Sequence, residues 1–149
     1  MSQIKRVEIH VRTAHVPGRR PDGDLYVGVG GREFVVSLKR EDFPPDRVLV
    51  YAFGENPSPT KHAGENDPSA QRLTTDTLRD YPVYVRYEPD GKKDNWCVED
   101  LRIVADGRGG DERRFRAAIL GTTEGREAPQ IWLGKRFGKM ICLAEEAAG

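Results

Sequence analysis

At 149 residues the chain is long enough for one domain with its own core, and its 24 Lys and Arg balance 24 Asp and Glu. A neutral whole supplies no long-range field for polyanions, so no nucleic-acid partner is expected. With 32% charged residues, a mean hydropathy of -0.66 and no apolar run near the roughly 20 residues that cross a bilayer, it is not expected to be an integral membrane protein.

The first run lacks the basic-then-apolar order of a signal peptide, so the expected compartment is cytoplasmic. It alternates instead, Val7, Ile9 and Val11 against Glu8, His10 and Arg12, the period-two mark of a strand with one buried and one wet face. The alternation recurs in Leu25, Val27 and Val29, in Phe34 and Val36, in Val48, Val50 and Ala52, and in Val83, Val85 and Tyr87. Turn-rich stretches at 17–23, 41–46, 54–76 and 89–95 separate these runs, and 16 Gly and 10 Pro agree with a loop-rich all-β chain. The predicted fold is an antiparallel β-sandwich or barrel. Residues 54–73, with Pro57, Pro59 and Pro68, are too many for a tight connection and are read as a disordered or spacing loop.

Trp96, Val98, Leu101 and Ile103 are all apolar but change parity between Val98 and Leu101. A bulge at Glu99 and Asp100 would return all four to one core. Cys97 and Cys142 sit inside apolar runs, where a free thiol behaves as a small hydrophobe. Residues 107–114 are polar and glycine-rich and read as a linker or loop, after which 115–120, 130–135 and 139–144 look like three more short strands, with Gly134 and Gly138 in tight turns. The expected division is a sandwich over 1–106 and a C-terminal extension over 107–149 packed on the same domain.

Three blocks carry a family resemblance. Residues 7–29, VEIHVRTAHVPGRRPDGDLYVGV, are similar to the opening strand, Gly-x-Gly-Thr-Asp-Ala-Asn/Asp loop and second strand of PLAT/LH2 domains, the β-sandwiches of lipoxygenases, animal lipases, polycystins and various bacterial proteins. Glu41-Asp42-Phe43 is similar to that family's Phe-Glu-Arg-Gly turn, and residues 90–103, DGKKDNWCVEDLRI, resemble its Gly-x-x-x-Asp-Trp-x-Leu-x-x-Val-x-Val block. Arg20 and Pro21 stand where the family commonly has Gly and Thr, Asn95 intrudes between Asp and Trp, the 54–76 loop is longer than usual, and residues 115–149 lie outside the resemblance.

The resemblance brings Asp22, Asp24, Asp90 and Asp94 to one end of the sandwich and implies a candidate Ca2+ site, since some members hold calcium there. Clustered carboxylates and loop carbonyls are what that hard ion takes. The competing reading has Asp22 and Asp24 making Asx turns beside Gly23, and Asp94 capping its loop beneath Trp96. Gly18, Arg19, Arg20, Lys92 and Lys93 form a candidate ligand-binding rim for phospholipid headgroups or an acidic partner, and these cations would oppose a dication. Trp96 is expected in the core, whereas Trp132, near Lys135 and Arg136, is a candidate interface anchor. The loops around Asp22 and Asp90 offer no Trp, Phe or Leu to a membrane, which shifts weight towards protein recognition.

For catalysis, His10, His15 and His62 are isolated, and there is no His-x-x-x-His spacing, glycine-rich phosphate loop or nucleophile elbow. The expectation is therefore not an enzyme but a noncatalytic recognition module, binding a protein partner or a lipid or membrane surface, with Ca2+ as a candidate aid. The alternative is a structural subunit of a larger assembly that docks through its C-terminal strands.

Overall fold

The computed structural model describes residues 2–15, 21–36, 43, 47–60, 63–121 and 129–147. Among them are β1 (Ile4–Thr13), β2 (Asp24–Val29), β3 (Arg32–Val36), β4 (Val48–Gly54), β5 (Val83–Glu88), β6 (Trp96–Gly107), β7 (Glu112–Arg116), β8 (Ile131–Leu133), β9 (Met140–Glu145) and a single helical turn, α1 (Thr77–Asp80). Every strand pairing is antiparallel. No helix among the described residues is long and apolar enough to cross a membrane.

The strand order β3-β2-β5-β9-β7-β6-β1-β4 folds into two layers. One is β3-β2-β5-β9 and the other β9-β7-β6-β1-β4, with β8 extending the β7 side of β6. Strand β9 belongs to both: Met140 to Leu143 pair with β5, then Ala144 and Glu145 pair with β7. The result is a β-sandwich stitched along one side.

This placement corrects the expected division of the chain. The C-terminal strands are the seam of the sandwich, residue 106 falls inside β6, and 107–114 is no linker: it holds the end of β6, one 3-10 turn at Arg108–Gly110 and the start of β7 at Glu112. Strands β7 and β9 each have neighbours on both sides, whereas β8 pairs with β6 alone among the described residues.

The core is organised on β6. Arg12 lies opposite Asp100 but the next residue, Thr13, lies opposite Val98, so Glu99 is the extra residue of a bulge. Trp96, Val98, Leu101 and Ile103 are accordingly all buried in one cluster. The Trp96 ring sits edge-on to Phe43 and Tyr87, both at 5.8 Å between centroids, and its Nε1–H donates to Thr13 Oγ1 at 3.0 Å.

Strand β4 turns the other way from its expected parity. Leu49, Tyr51 and Phe53 register with Val11, Ile9 and Val7 on the core side, leaving Val48 and Val50 49% and 46% exposed. Residues 48–53 are apolar on both parities, so alternation alone cannot choose. The larger area of Tyr51 and Phe53 decides.

The 54–73 loop is built into the fold. Asn66 Nδ2 donates to the Val35 carbonyl at 2.7 Å and its Oδ1 accepts the Val35 N–H at 2.9 Å, while the carbonyl of buried Leu73 accepts the Ile4 N–H at 2.8 Å. Both cysteines are free: Cys97 is buried, with desolvation pushing its thiol up to about 11, but Cys142 is exposed, contrary to its apolar sequence context.

Trp96→Ala should cost about 3–5 kcal/mol, the range for truncating a large core aromatic. Urea unfolding followed by circular dichroism measures it, and a near-neutral result would contradict the packing described.

Candidate functional site

Tyr87 is the last inward-facing residue of β5, and the packing that buries its ring against Trp96 aims its hydroxyl at the loops beyond the strand. There the hydroxyl donates to Asp94 Oδ2 and accepts the backbone N–H groups of Asp22 at 3.1 Å and Gly23 at 3.0 Å. Asp94, only 6% exposed, also accepts the Asp22 N–H at 2.9 Å and the Asp90 N–H at 2.6 Å. A buried carboxylate survives only with such donors, and charge strengthens each bond. Together the two side chains fasten the 21–24 loop to the 88–95 loop. The loops approach so closely that a Cβ on Gly23 would lie 2.0 Å from the Glu88 carbonyl oxygen.

Burial, and then the bond to Asp94, push the Tyr87 hydroxyl well above the ordinary tyrosine range. On the outer face of the same strand Tyr84 is pushed up to about 12 by burial and by donating to Glu33 at 2.7 Å.

Of the expected metal ligands, Asp94 is thus the bond acceptor of the loop clasp, and Asp22, Asp24 and Asp90 are exposed. Asp22 and Asp90 meet Asp94 through their backbone N–H groups, not through converging carboxylates. Among the described residues no group of three or more His, Cys, Asp and Glu is placed to hold a metal ion. Lys92 and Lys93 are exposed at the apex of their loop, and Gly18, Arg19 and Arg20 lie outside the described residues.

A third loop completes this end. Gly134 and Gly138 bridge, with the Gly134 N–H donating to the Gly138 carbonyl at 2.9 Å, and close a turn of Lys135, Arg136 and Phe137. Gly138 adopts φ +117, a conformation that favours glycine. The turn abuts the clasped loops: a Cβ on Gly134 would lie 2.4 Å from Asn95 Oδ1, and the Lys139 carbonyl accepts the Tyr87 N–H at 2.6 Å.

Trp132, paired with Cys97 in the β8–β6 ladder, is half-buried and is not itself the exposed anchor. Its ring supports Phe137, with centroids 6.0 Å apart at 33°, and Phe137 is 57% exposed. Among the described residues the loops carrying the aspartates lack an exposed Trp, Phe or Leu, but the neighbouring turn supplies Phe137 beside Lys135 and Arg136. The Gly-Lys-Arg-Phe-Gly run was the available sequence signal.

No family model matches this chain, and no curated protein matches it. Its fold has a solved counterpart. "Alpha Toxin from Clostridium Absonum" aligns with a TM-score of 0.57 at 14% identity, over 96% of this chain and 32% of that one. At that identity the likeness carries the fold alone, and the chain spans about a third of the toxin's length.

The clasp predicts a pH dependence. A folded-state hydroxyl held above the unfolded value of about 10 contributes stability that is full below pH ~10 and is lost as pH rises towards the higher folded value. Tyr87→Phe should cost about 1–3 kcal/mol at neutral pH, because it deprives Asp94 of a donor and the Gly23 N–H of its acceptor, while the Asp22 N–H keeps Asp94. Melts of both proteins across the alkaline range should show the gap narrowing above pH ~10. Tyr84 acts in both proteins and leaves that difference unchanged.

Proposed function

We propose that this protein is a noncatalytic recognition module that docks on an anionic lipid surface through the clasped end of its sandwich. The observation that carries the reading is Phe137, an exposed aromatic at the apex of a turn whose other side chains, Lys135 and Arg136, are both cationic. An aromatic ring with cations beside it suits the boundary between headgroups and acyl chains, where each Lys or Arg near an anionic leaflet contributes about 1 kcal/mol. Burying one phenylalanine side chain adds about 1.5–3 kcal/mol. Lys92 and Lys93, on the neighbouring loop, extend the same charge.

These magnitudes describe reversible, salt-sensitive docking. Trp132 holds the Phe137 ring from behind, and the Asp94–Tyr87 clasp holds the lysine loop beside it, so little ordering is left to do at the surface. On this reading Ca2+ is not required, because the Asp94 carboxylate is already occupied by hydroxyl and amide donors.

Cosedimentation with phosphatidylcholine vesicles, with and without phosphatidylserine, tests the proposal. Binding should require phosphatidylserine, fall by about tenfold or more in Phe137→Ser, the effect of losing ~1.4 kcal/mol, and persist in EDTA. Equal pelleting of Phe137→Ser and the parent protein would overturn it. A calcium requirement lost in Asp22→Ala would instead restore the carboxylate cluster as the working site.

A further inference from the structure

Aspartate is followed by glycine three times, at Asp22 and Gly23, Asp90 and Gly91, and Asp106 and Gly107. In this pairing an aspartate side chain reacts readily with its own backbone, because glycine has no Cβ to stand in the way of the attacking nitrogen. That nitrogen must still be free of a hydrogen bond and able to turn towards the carboxyl. The structure meets this requirement at one place of the three.

The Gly23 N–H donates to the Tyr87 hydroxyl at 3.0 Å, inside the clasp. The buried Gly107 donates to the Asp111 carbonyl at 2.9 Å, and Asp106 stands in the β6–β1 ladder with its carboxylate 3.8 Å from Lys5 Nζ. Among the described residues no hydrogen bond takes the Gly91 N–H and no ion pair holds the Asp90 carboxylate. Both residues are exposed in the 88–95 loop, and nothing lies within 4 Å of the place where a Gly91 Cβ would stand. Lys92 and Lys93 follow at once, and neighbouring cations favour a deprotonated amide.

We propose that Asp90 and Gly91 form a spontaneous modification site, where the chain isomerises to isoaspartate and the clasp loosens as a result. The Gly91 nitrogen gives up its proton and bonds to Asp90 Cγ. One carboxyl oxygen, taking up that proton and one from solvent, leaves as water, and a five-membered succinimide closes. Water then adds to the ring carbonyl that came from the Asp90 backbone, the C–N bond there breaks, and the solvent proton is returned. The chain now runs through the former side chain, and the former backbone carbonyl is a free carboxylate. Neither oxidant nor cofactor enters, and mass and net charge are unchanged.

The residues on either side of the altered bond both hold Asp94. The Asp90 N–H donates to Asp94 Oδ2 at 2.6 Å, and the Gly91 carbonyl accepts the Asp94 N–H at 3.3 Å. An extra main-chain carbon between them displaces one of these contacts and sets a new carboxylate beside a buried one. The proposal stands whether or not this end of the sandwich binds lipid.

The whole protein, held at physiological temperature and neutral pH for weeks, is sampled, digested and read by mass spectrometry with electron-transfer fragmentation, which tells isoaspartate from aspartate. Isoaspartate should build up at residue 90 about tenfold or more faster than at 22 or 106, where a protecting hydrogen bond must open first. In urea the three rates should converge. The isomerised fraction should melt about 2–4 °C or more below the fresh protein, the shift for one lost bond to a buried charge in a chain of this size. Asp90→Glu keeps the charge and the N–H but is too long to close the five-membered ring, so it should form no product at residue 90 and melt alike before and after the incubation. The proposal fails if residue 90 isomerises no faster than 22 and 106 in the folded protein, if its lead persists in urea, or if the isomerised fraction melts with the fresh protein.

Discussion

A single extra residue, Glu99, sets the geometry of the molecule. Side chains on a strand alternate, so without the bulge either Trp96 and Val98 or Leu101 and Ile103 would face water. With it, one strand feeds the core along its whole length and pairs with β1 on one side and with β8 and β7 on the other. Trp96 then lands against Tyr87, Tyr87 reaches past the end of β5 to Asp94, and Asp94 gathers the loops. The candidate site is thus the far end of a chain of contacts that begins with a register shift in the core.

How much of this was legible in the sequence follows from where the information lies. The bulge was legible, because four large apolar residues on conflicting parities leave few alternatives. The parity of β4 was not, because residues 48–53 are apolar on both faces and only the register with β1 separates them. That Asp94 caps its loop was readable beside Trp96, but the backbone donors that occupy it come from Asp22, 72 residues away, and from Asp90. Carboxylates that converge on paper therefore need not converge as ligands. The C-terminal strands were located only in part, since β7 opens at Glu112 inside the stretch read as a loop, and their role as the seam depends on partners in β5 and β7 that no local pattern names.

The fold is shared with a segment of a much longer toxin, and such sandwiches host unrelated functions in their loops and edges. The 134–138 turn presents one ring and its cations on a rigid base, suited to a fluid, featureless surface.

The path of β9 also bears on how the protein reaches its native state. Because this strand lies between β5 and β7, neither layer can be completed until residue 145 is available to pair with Phe115. Such long-range closure is slow. During synthesis the inner edges of both half-built sheets stay open through the whole of the preceding chain, and in that interval the emerging polypeptide is most exposed to mispairing with its neighbours.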